Sequence, residues 1–483
     1  MLHRVTVLPG KQNITAATGS NLLNTLRMAG CMQDAPCGGN GTCGKCKVIL
    51  DGKEILACQT SIDRDMTIRL PEAGTQKILT DGIAYRAAKA GGDGFLIAID
   101  IGTTTVAGYL LDAATGAELA CGSRQNPQTA YGADVITRIQ HALDGQLEPL
   151  TDCIRGCVTE LIDALCKQAQ VMHDQLRVVS IVGNPAMQQL FLGIAPVNLA
   201  QLPFAPVLTQ AKRLKADPYL PGYPNAELLI VPDVSGFVGA DTVACVLATD
   251  LDQQDSMTLL VDIGTNGEMV LGNKHRMVAC SAAAGPALEG ANIRCGMRAK
   301  DGAIDHVWLT DGTLQYSVIG EGNAAGICGS GLIDAVAVAL ELGLINQRGK
   351  ICGNEPLIRL TPDVYLTQDD IRQVQLAKGA IAAGIELMAA HLGICLQNIQ
   401  QVMLAGAFGT FLDPRSACRI GLLPPVLADK IQPVGNAAGS GAKRLACDTY
   451  ALDRAQELVS QIEFLELASL SGFARCFAKN MRF

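Results

Sequence analysis

The tetrapeptide Asp-Ile-Gly-Thr occurs twice in the chain, at residues 100–103 and 262–265, and this repeat constrains the fold more than any other feature. Each copy lies between two apolar runs, in FLIAIDIGTTTVAGYLLD (95–112) and in MTLLVDIGTNGEMVLGN (257–273). Apolar runs on both sides of a turn rich in glycine and threonine are typical of a β-hairpin. Two such hairpins predict a duplicated domain with two similar lobes.

The two turns carry residue types that bind phosphate. Backbone N–H groups and threonine hydroxyls can donate hydrogen bonds to phosphate oxygens, and an aspartate at a strand end can hold Mg²⁺, usually through water. We therefore expect Asp100 and Asp262 to serve a Mg²⁺-bound triphosphate clamped between the turns; two ordinary hairpins are the alternative. The expected binding residues of the turns are Gly102, Thr103, Thr104, Thr105, Gly264, Thr265, Asn266 and Gly267.

Further glycine-rich stretches accompany the hairpins. VPDVSGFVGADTVACVLATDL (231–251) has the pattern of a loop that enters a helix, and EGNAAGICGSGLIDAVAVAL (321–340) places glycines before an apolar helix. QVMLAGAFGTFLD (401–413) is an apolar strand that leads into glycines, and GNAAGSGA (435–442) follows it. With the hairpins, these stretches resemble the phosphate-1, connect-1, phosphate-2, connect-2 and adenosine motifs of the actin, Hsp70 and sugar kinase superfamily of ATPases.

This resemblance covers roughly residues 95–450 and implies an ATP site. It implies that Asp241 orients the attacking water, with a helix N-cap as the alternative role, and that Asp100 and Asp262 act with it as catalytic residues. Cys328 is expected to be a buried thiol rather than a redox group. The remaining residues that the resemblance places at the nucleotide are Gly329, Ser330, Gly406, Ala407, Gly409 and Gly439.

Four cysteines near the N-terminus have the spacing C-x5-C-x2-C-x11-C, at Cys37, Cys43, Cys46 and Cys58. A P-loop in GNGTCGKC is rejected, because a P-loop needs Ser or Thr after its lysine, a strand before it and a helix after it. The glycines between the first three cysteines, Gly38, Gly39, Gly41 and Gly44, let the backbone wrap closely around a cluster and aim N–H groups at the sulfurs. Four thiolates can then hold two irons. Structural zinc is the alternative, and Cys31 is expected to be buried rather than a ligand.

Residues 1–70 therefore resemble a [2Fe–2S] ferredoxin domain of the β-grasp type. The predicted strands are HRVTVLPG, CKVILDG and MTIRLP, with a hairpin turn at Asp51-Gly52 and a helix in SNLLNTLRMAG capped by Ser20 or Asn21. The first cysteine gap holds five residues, whereas the plant-type spacing has four. The expected fold is an α+β β-grasp ferredoxin domain followed by a duplicated α/β, actin-like (ribonuclease H-like) ATPase domain.

The remaining expectations concern domain boundaries, nucleic-acid binding and cellular location. The expected divisions of the 483 residues are a ferredoxin-like domain at 1–70, a linker at 71–94, a first ATPase lobe at 95–256 and a second lobe at 257–483. The net charge of −8 argues against non-specific nucleic-acid binding. The apolar runs are too short for a membrane span, and we expect a cytoplasmic protein.

A [2Fe–2S] domain fused to an actin-like ATPase resembles the reductive activators of corrinoid proteins. GNPAMQQLFLGI (183–194), IRQVQLAKGAI (371–381) and the paired turns extend this resemblance over nearly the whole chain. It implies that ATP drives one electron onto the inactive Co(II) corrinoid of a methyltransferase system and restores Co(I). It also implies a corrinoid protein as partner, an upstream low-potential donor such as a ferredoxin, and a possible homodimer.

Two features qualify this family resemblance. Such activators often carry an additional domain before the ATPase, whereas only residues 71–94 intervene here. The corrinoid-binding motif D-x-H-x-x-G is absent from the sequence, so we expect the cobalt to belong to the partner.

Three other functions fit parts of the pattern. A small-molecule kinase shares the ATPase fold and leaves the cluster without a role. An Hsp70-like binding module would use the cluster to sense redox state. Activators of radical-type dehydratases resemble the ATPase but hold a cluster between two subunits, and the cysteine spacing from 37 to 58 argues against that arrangement.

Overall fold

The computed structural model describes residues 1–9, 11–29, 31, 39, 41, 46–70, 82, 83, 92–132, 134–352 and 355–483. Of the four predicted metal ligands, Cys46 and Cys58 are among these residues, and Cys37 and Cys43 lie outside them. Most of the predicted linker 71–94 also lies outside the described residues. The described chain forms three main β-sheets of five, six and six strands.

The N-terminal domain is a five-stranded sheet with one helix. Its elements are β1 (Leu2–Leu8), β2 (Gln12–Ala17), α1 (Leu22–Met28), β3 (Lys47–Leu50), β4 (Lys53–Leu56) and β5 (Met66–Arg69). The strand order is β2-β1-β5-β3-β4, and β1 and β5 run parallel at the centre. Val5 and Ile68 of these strands pack with Leu22 and Leu26 of the helix in one buried core. This arrangement supports the expected β-grasp fold.

Local signals in this domain are confirmed in most details. The predicted strands correspond to β1, β3 and β5, while the sequence pattern does not single out β2. Asn21 caps α1, because its side-chain oxygen accepts a hydrogen bond from the backbone N–H of Asn24 at 3.2 Å; Ser20 is not the cap. Asp51 and Gly52 have φ values of 50° and 76°, as a two-residue hairpin turn requires.

The first lobe is a six-stranded sheet with helices. Its strands are β6 (Phe95–Ile101), β7 (Thr105–Asp112), β8 (Glu118–Gln125), β9 (Leu176–Gly183), β10 (Lys212–Lys215) and β11 (Glu227–Ile230). Its helices are α2 (Val135–His141), α3 (Leu147–Ala169), α4 (Pro185–Leu192), α5 (Val197–Ala200) and α6 (Ala240–Thr249), with a π-helical turn at Ala142–Gln146. The strand order is β10-β11-β9-β6-β7-β8.

The second lobe repeats this plan around the second hairpin. Its strands are β12 (Thr258–Ile263), β13 (Gly267–Asn273), β14 (Arg276–Ala282), β15 (Ala303–Thr310), β16 (Thr313–Val318), β17 (Gly326–Ile327), β18 (Leu357–Arg359), β19 (Tyr365–Thr367), β20 (Gln401–Ala405), β21 (Ile431–Gly435) and β22 (Ile462–Phe464). Its helices are α7 (Gly329–Glu341), α8 (Gln368–His391), α9 (Gly406–Phe411), α10 (Pro414–Arg419), α11 (Ala437–Cys447), α12 (Ala451–Gln461) and α13 (Phe473–Asn480). Within the described ranges, no helix has the length and apolarity that crossing a membrane requires.

The two lobe sheets confirm the predicted duplication. The main sheet of the second lobe has the order β21-β20-β12-β13-β14-β22. In each lobe the first strand of the hairpin pairs antiparallel with the second strand and parallel with a later one. The orders β11-β9-β6-β7-β8 and β21-β20-β12-β13-β14 therefore correspond strand by strand, and the two hairpins occupy the same place in their sheets.

Helix α11 belongs to the second half of the sequence but packs against the sheet of the first lobe. It contacts β6, β9 and α6, and the hydroxyl of Ser180 on β9 donates a 2.7 Å hydrogen bond to the backbone carbonyl of Ala442. A Cβ atom at Gly441 would collide with the backbone carbonyl of Ala244, so glycine permits the close approach of α11 to α6. The lobes are joined by a shared buried core.

A buried lysine fixes the end of the chain on the second lobe. Helix α13 packs against α8, and Lys378 of α8 is 1% exposed. Its ammonium donates a hydrogen bond to the backbone carbonyl of Arg482 and lies 5.2 Å from the centre of the Phe483 ring. Burial lowers the pKa of Lys378 to about 8.

We expect Lys378 to make the free energy of unfolding depend on pH, and we expect Lys378→Met to abolish this dependence. Its pKa is about 8 when folded and about 10.5 when unfolded, so the unfolded chain binds more protons between these values. The free energy of unfolding must then rise with pH through the window, by at most roughly 3 kcal/mol. Urea unfolding of both proteins below pH 8 and near pH 10 measures this rise, and an equal pH dependence in both would contradict the expectation.

Candidate functional site

Asp100 and Asp262 lie at corresponding positions near the ends of β6 and β12, one in each lobe. Burial raises the pKa of Asp100 to about 7, helped by the negative charges of Asp241 and Asp262 and opposed by a hydrogen bond from Asn436. Burial raises the pKa of Asp262 to about 6. The Cys245 sulfur on α6 lies 3.8 Å from the Asp262 carboxylate, so the two lobes meet at these residues. Among the described residues, no group of three or more His, Cys, Asp or Glu side chains is placed to hold a metal ion.

Asp241 lies in the first turn of α6 and joins the same group. Its carboxylate accepts a 2.8 Å hydrogen bond from the backbone N–H of Thr242. Burial, with a contribution from the charge of Asp262, raises the pKa of Asp241 to about 7. The N-cap position is occupied by Gly239, so the alternative role of Asp241 as a helix cap is wrong. A carboxylate with a pKa near neutrality can hold a water molecule in place and can accept a proton from it.

The first hairpin turn is fixed by hydrogen bonds to its carbonyl oxygens. Those of Thr103, Thr104 and Thr105 accept from the Arg138 guanidinium, the Asn126 N–H and the Gly102 N–H, respectively. A Cβ atom at Gly102 would lie 2.8 Å from the Thr105 carbonyl, so the tight turn needs glycine. The Asn184 amide also donates to the Thr103 hydroxyl at 3.1 Å. The carbonyl oxygens are therefore held by protein donors, which fixes the shape of the turn.

The second turn is also closed by its glycine N–H, but onto the carbonyl two residues on rather than three. The N–H of Gly264 donates to the carbonyl of Asn266 at 2.8 Å, and the Thr265 hydroxyl donates to Glu289 at 3.1 Å. Burial raises the pKa of Glu289. A Cβ atom at Gly267 would lie 3.0 Å from Ile381 of α8, so this glycine lets the hairpin approach the helix.

Glu268 is a fourth carboxyl group of the site that the sequence reasoning missed. It lies directly opposite Asp262 in the β12–β13 pairing and accepts a 3.0 Å hydrogen bond from the Ser281 hydroxyl. Burial, then the charges of Asp241 and Asp262, raises its pKa to about 8. The corresponding residue opposite Asp100 is Ala107. When the two hairpins are aligned on Asp100 and Asp262, Glu268 falls against Val106 rather than Ala107, so the sequence shows a carboxylate in the second hairpin alone but not which residue it faces.

Asn436 links the two lobes at the site and was also missed. It precedes α11, and its side-chain amide donates to Asp100 at 3.1 Å and to the Tyr109 hydroxyl at 3.2 Å. Its side-chain oxygen accepts from the N–H of Gly439 at 2.7 Å. The only sequence signal for it is its place in GNAAGSGA, beside the predicted Gly439.

At two of the predicted glycines, Gly406 and Gly439, another group of the site comes too close for a side chain. A Cβ atom at Gly406, whose φ is +81°, would lie 2.7 Å from the Asp262 carboxylate. One at Gly439 would lie 2.6 Å from the Tyr109 hydroxyl. Gly409 instead packs against Leu404, and Ala407 lies within α9, although its side chain is outside what the structure describes.

Gly329 and Ser330 begin α7. A Cβ atom at Gly329 would collide with the backbone carbonyl of Leu288, next to the Glu289 that bonds the second turn. The Ser330 hydroxyl donates to the carbonyl of Asp305 at 2.8 Å, within the second lobe, and its assignment to the nucleotide stays a prediction. Cys328 is buried, as expected, with its sulfur 3.4 Å from the Ser330 oxygen.

The two described cysteines of the N-terminal set lie close together. The backbone N–H of Cys58 donates to the sulfur of Cys46 at 3.4 Å, and both residues are buried. The side-chain amide of Gln59 lies 3.8 Å from the Cys58 sulfur. An N–H aimed at a sulfur is the environment that metal-bound thiolates require. Cys31 bonds Gln12 at 3.2 Å through its sulfur, and its exclusion from the ligand set stays a prediction.

Known proteins resemble the chain over both lobes. A family model described as the RACo middle region matches residues 95–254, and one described as the C-terminal domain of RACo, the ASKHA domain, matches residues 256–483. The corrinoid activation enzyme RamQ of Eubacterium limosum is 35% identical over 416 residues, covering 80% of this chain and 70% of the relative. The [Co(II) methylated amine-specific corrinoid protein] reductase of Methanosarcina barkeri is 30% identical over 401 residues, covering 76% and 72%.

A solved structure has the same overall arrangement. The structure described as a reductive activator for corrinoid, iron-sulfur protein superposes with a TM-score of 0.73 and 28% identity. The match covers 100% of this chain and 98% of that chain. The chain therefore shares its mixed α/β architecture, with an actin-like C-terminal ATPase domain, with that protein.

Proposed function

We propose, from the premise that the chain belongs to the RACo family of corrinoid activators, that it is an ATP-dependent reductive activator. In this function one electron converts the inactive Co(II) corrinoid of a methyltransferase system to Co(I). The observation that carries the proposal is a contact between two lobes of actin-like design: Asn436 bonds Asp100 at 3.1 Å, and Cys245, on the helix that carries Asp241, lies 3.8 Å from Asp262. An activator that uses ATP to drive electron transfer needs both an ATP site and an electron carrier, and the proposal assigns both to this chain.

The residues of the lobes have separable roles in binding ATP. The two Gly- and Thr-rich turns donate hydrogen bonds to the phosphates from opposite sides. Asp100 and Asp262 would hold Mg²⁺, usually through water, and its charge would offset that of the phosphates. The charges of Asp241 and Asp262 help to raise the pKa of Glu268 to about 8. Asp241 orients the attacking water and accepts its proton. In the proposal, Gly406, Gly409 and Gly439 would line the adenosine.

The N-terminal domain supplies thiolates for an iron–sulfur cluster. Cys46 and Cys58 fit this role, since they are adjacent, buried and supplied with an N–H donor, and Cys37 and Cys43 complete the set in the proposal. A [2Fe–2S] cluster held by these four thiolates would supply a one-electron carrier. Cys58 is held in place by the short 3₁₀ turn Ala57–Gln59, and the Asn21 amide bonds its backbone carbonyl at 2.8 Å.

ATP is needed because the electron moves to a couple of lower potential. For one electron, every 59 mV uphill reduces the equilibrium constant tenfold. A nucleotide that binds one arrangement of the lobes more tightly than another shifts the population toward it, with a coupling of about 1–3 kcal/mol. Lobe closure around ATP can therefore offset a modest uphill gap.

The proposal includes partners. A corrinoid protein accepts the electron, an upstream low-potential protein such as a ferredoxin supplies it, and the chain acts in the cytoplasm, possibly as a homodimer. The rival kinase and Hsp70-like functions need the same ATP residues but give the cysteine-rich N-terminal domain no part in electron flow.

The test is spectroscopic. The purified protein, a candidate Co(II) corrinoid protein and a low-potential reductant are mixed anaerobically, and the visible spectrum is followed for Co(I) with and without ATP. We expect ATP to increase the yield of Co(I). If several corrinoid partners gave no Co(I) under any nucleotide, the activator function would be abandoned in favour of the kinase or binding-module function.

A further inference from the structure

The aspartates of the two hairpins each accept a side-chain hydrogen bond from the opposite half of the chain. Asn436 follows β21 of the second lobe, and its amide donates to Asp100 on β6 of the first lobe at 3.1 Å. Cys245 lies on α6 of the first lobe, and its thiol donates to Asp262 on β12 of the second lobe at 3.8 Å. Within the described residues, these are the side-chain hydrogen bonds that the two carboxylates accept. The two donors are thus exchanged between the lobes.

The helices that carry these donors touch each other through their backbones. Asn436 is the N-cap of α11, and Cys245 lies within α6. A Cβ atom at Gly441 of α11 would collide with the backbone carbonyl of Ala244, the residue before Cys245. Because close-packed backbones leave little room for one helix to slide on the other, the position of each donor depends on the helix that carries the other donor.

Each donor is also held in place by its own neighbours. The side-chain oxygen of Asn436 accepts from the Gly439 N–H at 2.7 Å, and its amide lies 3.2 Å from the hydroxyl of the buried Tyr109. Cys245 is fully buried and belongs to the core that the two lobes share. A side chain that is fixed by packing and hydrogen bonds can keep its partner in one orientation.

We propose that Cys245 and Asn436 are positioning residues, which hold the carboxylates of Asp262 and Asp100 in the orientation that ATP binding requires. Both residues act through the aspartates and not on the nucleotide. Without its donor, a carboxylate can rotate about its side-chain bonds, and binding must then restore the lost order at a cost in conformational entropy. The inference rests on the proposed function, since it concerns the same ATP site.

Two replacements of Cys245 distinguish a donor from a residue that only fills the core. Serine keeps a hydrogen-bond donor, whereas alanine keeps an apolar surface and has no donor. In the full chain, we expect Cys245→Ala to raise the Kd for ATP about 10-fold, and Cys245→Ser to bind ATP more tightly than Cys245→Ala. A role in packing alone predicts the reverse order, because a buried hydroxyl without a partner is costly. Equilibrium titration with ATP in the presence of Mg²⁺ measures both values.

Cys447 provides the matched control for these variants. It is also buried and ends α11, but it packs with Leu96, at the other end of β6 from Asp100. Replacement of Cys447 by alanine or by serine should leave the Kd for ATP unchanged. Thermal unfolding of every variant shows that it is folded and removes any unfolded fraction from the comparison of Kd values.

Double-mutant cycles test whether each donor acts through its aspartate. Asn436→Ser keeps a capping oxygen for the Gly439 N–H but loses the amide that bonds Asp100. We expect this change to raise the Kd for ATP about 10-fold alone and to add nothing when Asp100→Asn is already present. Cys245→Ala should likewise add nothing to Asp262→Asn. Additive effects in the cycles, or a wild-type Kd in Cys245→Ala, would overturn the inference.

These titrations need no corrinoid protein, so they distinguish the two proposals. A wild-type chain that binds ATP but forms no Co(I) would sink the proposed function, while the cycles would still decide whether the donors position the aspartates. Normal Co(I) formation with additive cycles would keep the function and remove the positioning role. A wild-type chain that binds no ATP would overturn both.

Discussion

Replacement of Asp262 by asparagine is expected to lower the rate of ATP hydrolysis by about 100-fold or more, the typical cost of deleting a preorganised electrostatic group. Asparagine keeps the shape of the side chain and removes the negative charge that the proposed function assigns to Mg²⁺. It also lowers the repulsion on Asp241, whose pKa is raised in part by Asp262. Steady-state phosphate release at saturating ATP measures the loss in kcat.

The control for this variant is Asp255→Asn. Asp255 lies just before the same strand but is exposed and pairs with Lys274 at 2.6 Å, so its replacement should leave the rate unchanged. An Asp262→Asn protein with the wild-type kcat would remove Asp262 from the site and with it the paired-hairpin account of ATP binding.

The second large effect concerns Cys58. We expect Cys58→Ser to lose the visible absorption of the cluster and all ATP-dependent formation of Co(I), because a hydroxyl is a poor substitute for a thiolate on iron. ATP hydrolysis should remain, since the lobes that carry the carboxylates are built from other residues. Iron content, absorption spectra and phosphate release measured on one preparation test all three statements.

Cys395→Ser is the matched control, because Cys395 is an exposed cysteine of the second lobe and should tolerate the change without loss of iron. If Cys58→Ser kept its iron and its Co(I) yield, Cys58 would not be a ligand. If it instead lost ATP hydrolysis along with the cluster, the two activities would not be separable by domain.

The fold was predictable where the sequence carries local periodic signals. The repeated Asp-Ile-Gly-Thr turns predicted two matching hairpins, and the structure places β6–β7 and β12–β13 at the same positions of two sheets. Asp51-Gly52 predicted its hairpin because few residue pairs accept a left-handed turn. Such signals lie within a few residues of the feature that they determine.

The residues that were missed depend on contacts distant in sequence. Asn436 bonds Asp100 across 336 positions, and no local pattern announces a contact of that kind. Glu268, in contrast to Asn436, is close in sequence to the residue that it faces, because the register of the β12–β13 hairpin places it opposite Asp262. Ser330 was assigned to the nucleotide by resemblance, its hydroxyl bonds the carbonyl of Asp305, and this assignment stays a prediction. The assignments of the other site residues to ATP stay predictions.

The placement of α11 has a consequence for how the chain is made. The face of β9 that bears Ser180 is completed by Ala442, which is 262 residues further along the chain. At a synthesis rate of about 5–20 residues per second, that interval lasts roughly 13 to 50 seconds. During this time the six-stranded sheet of the first lobe lacks α11, and the apolar surface that α11 covers on β6 and β9 is open to water or to a chaperone. The first lobe can therefore be completed only after nearly all of the second lobe has been synthesised.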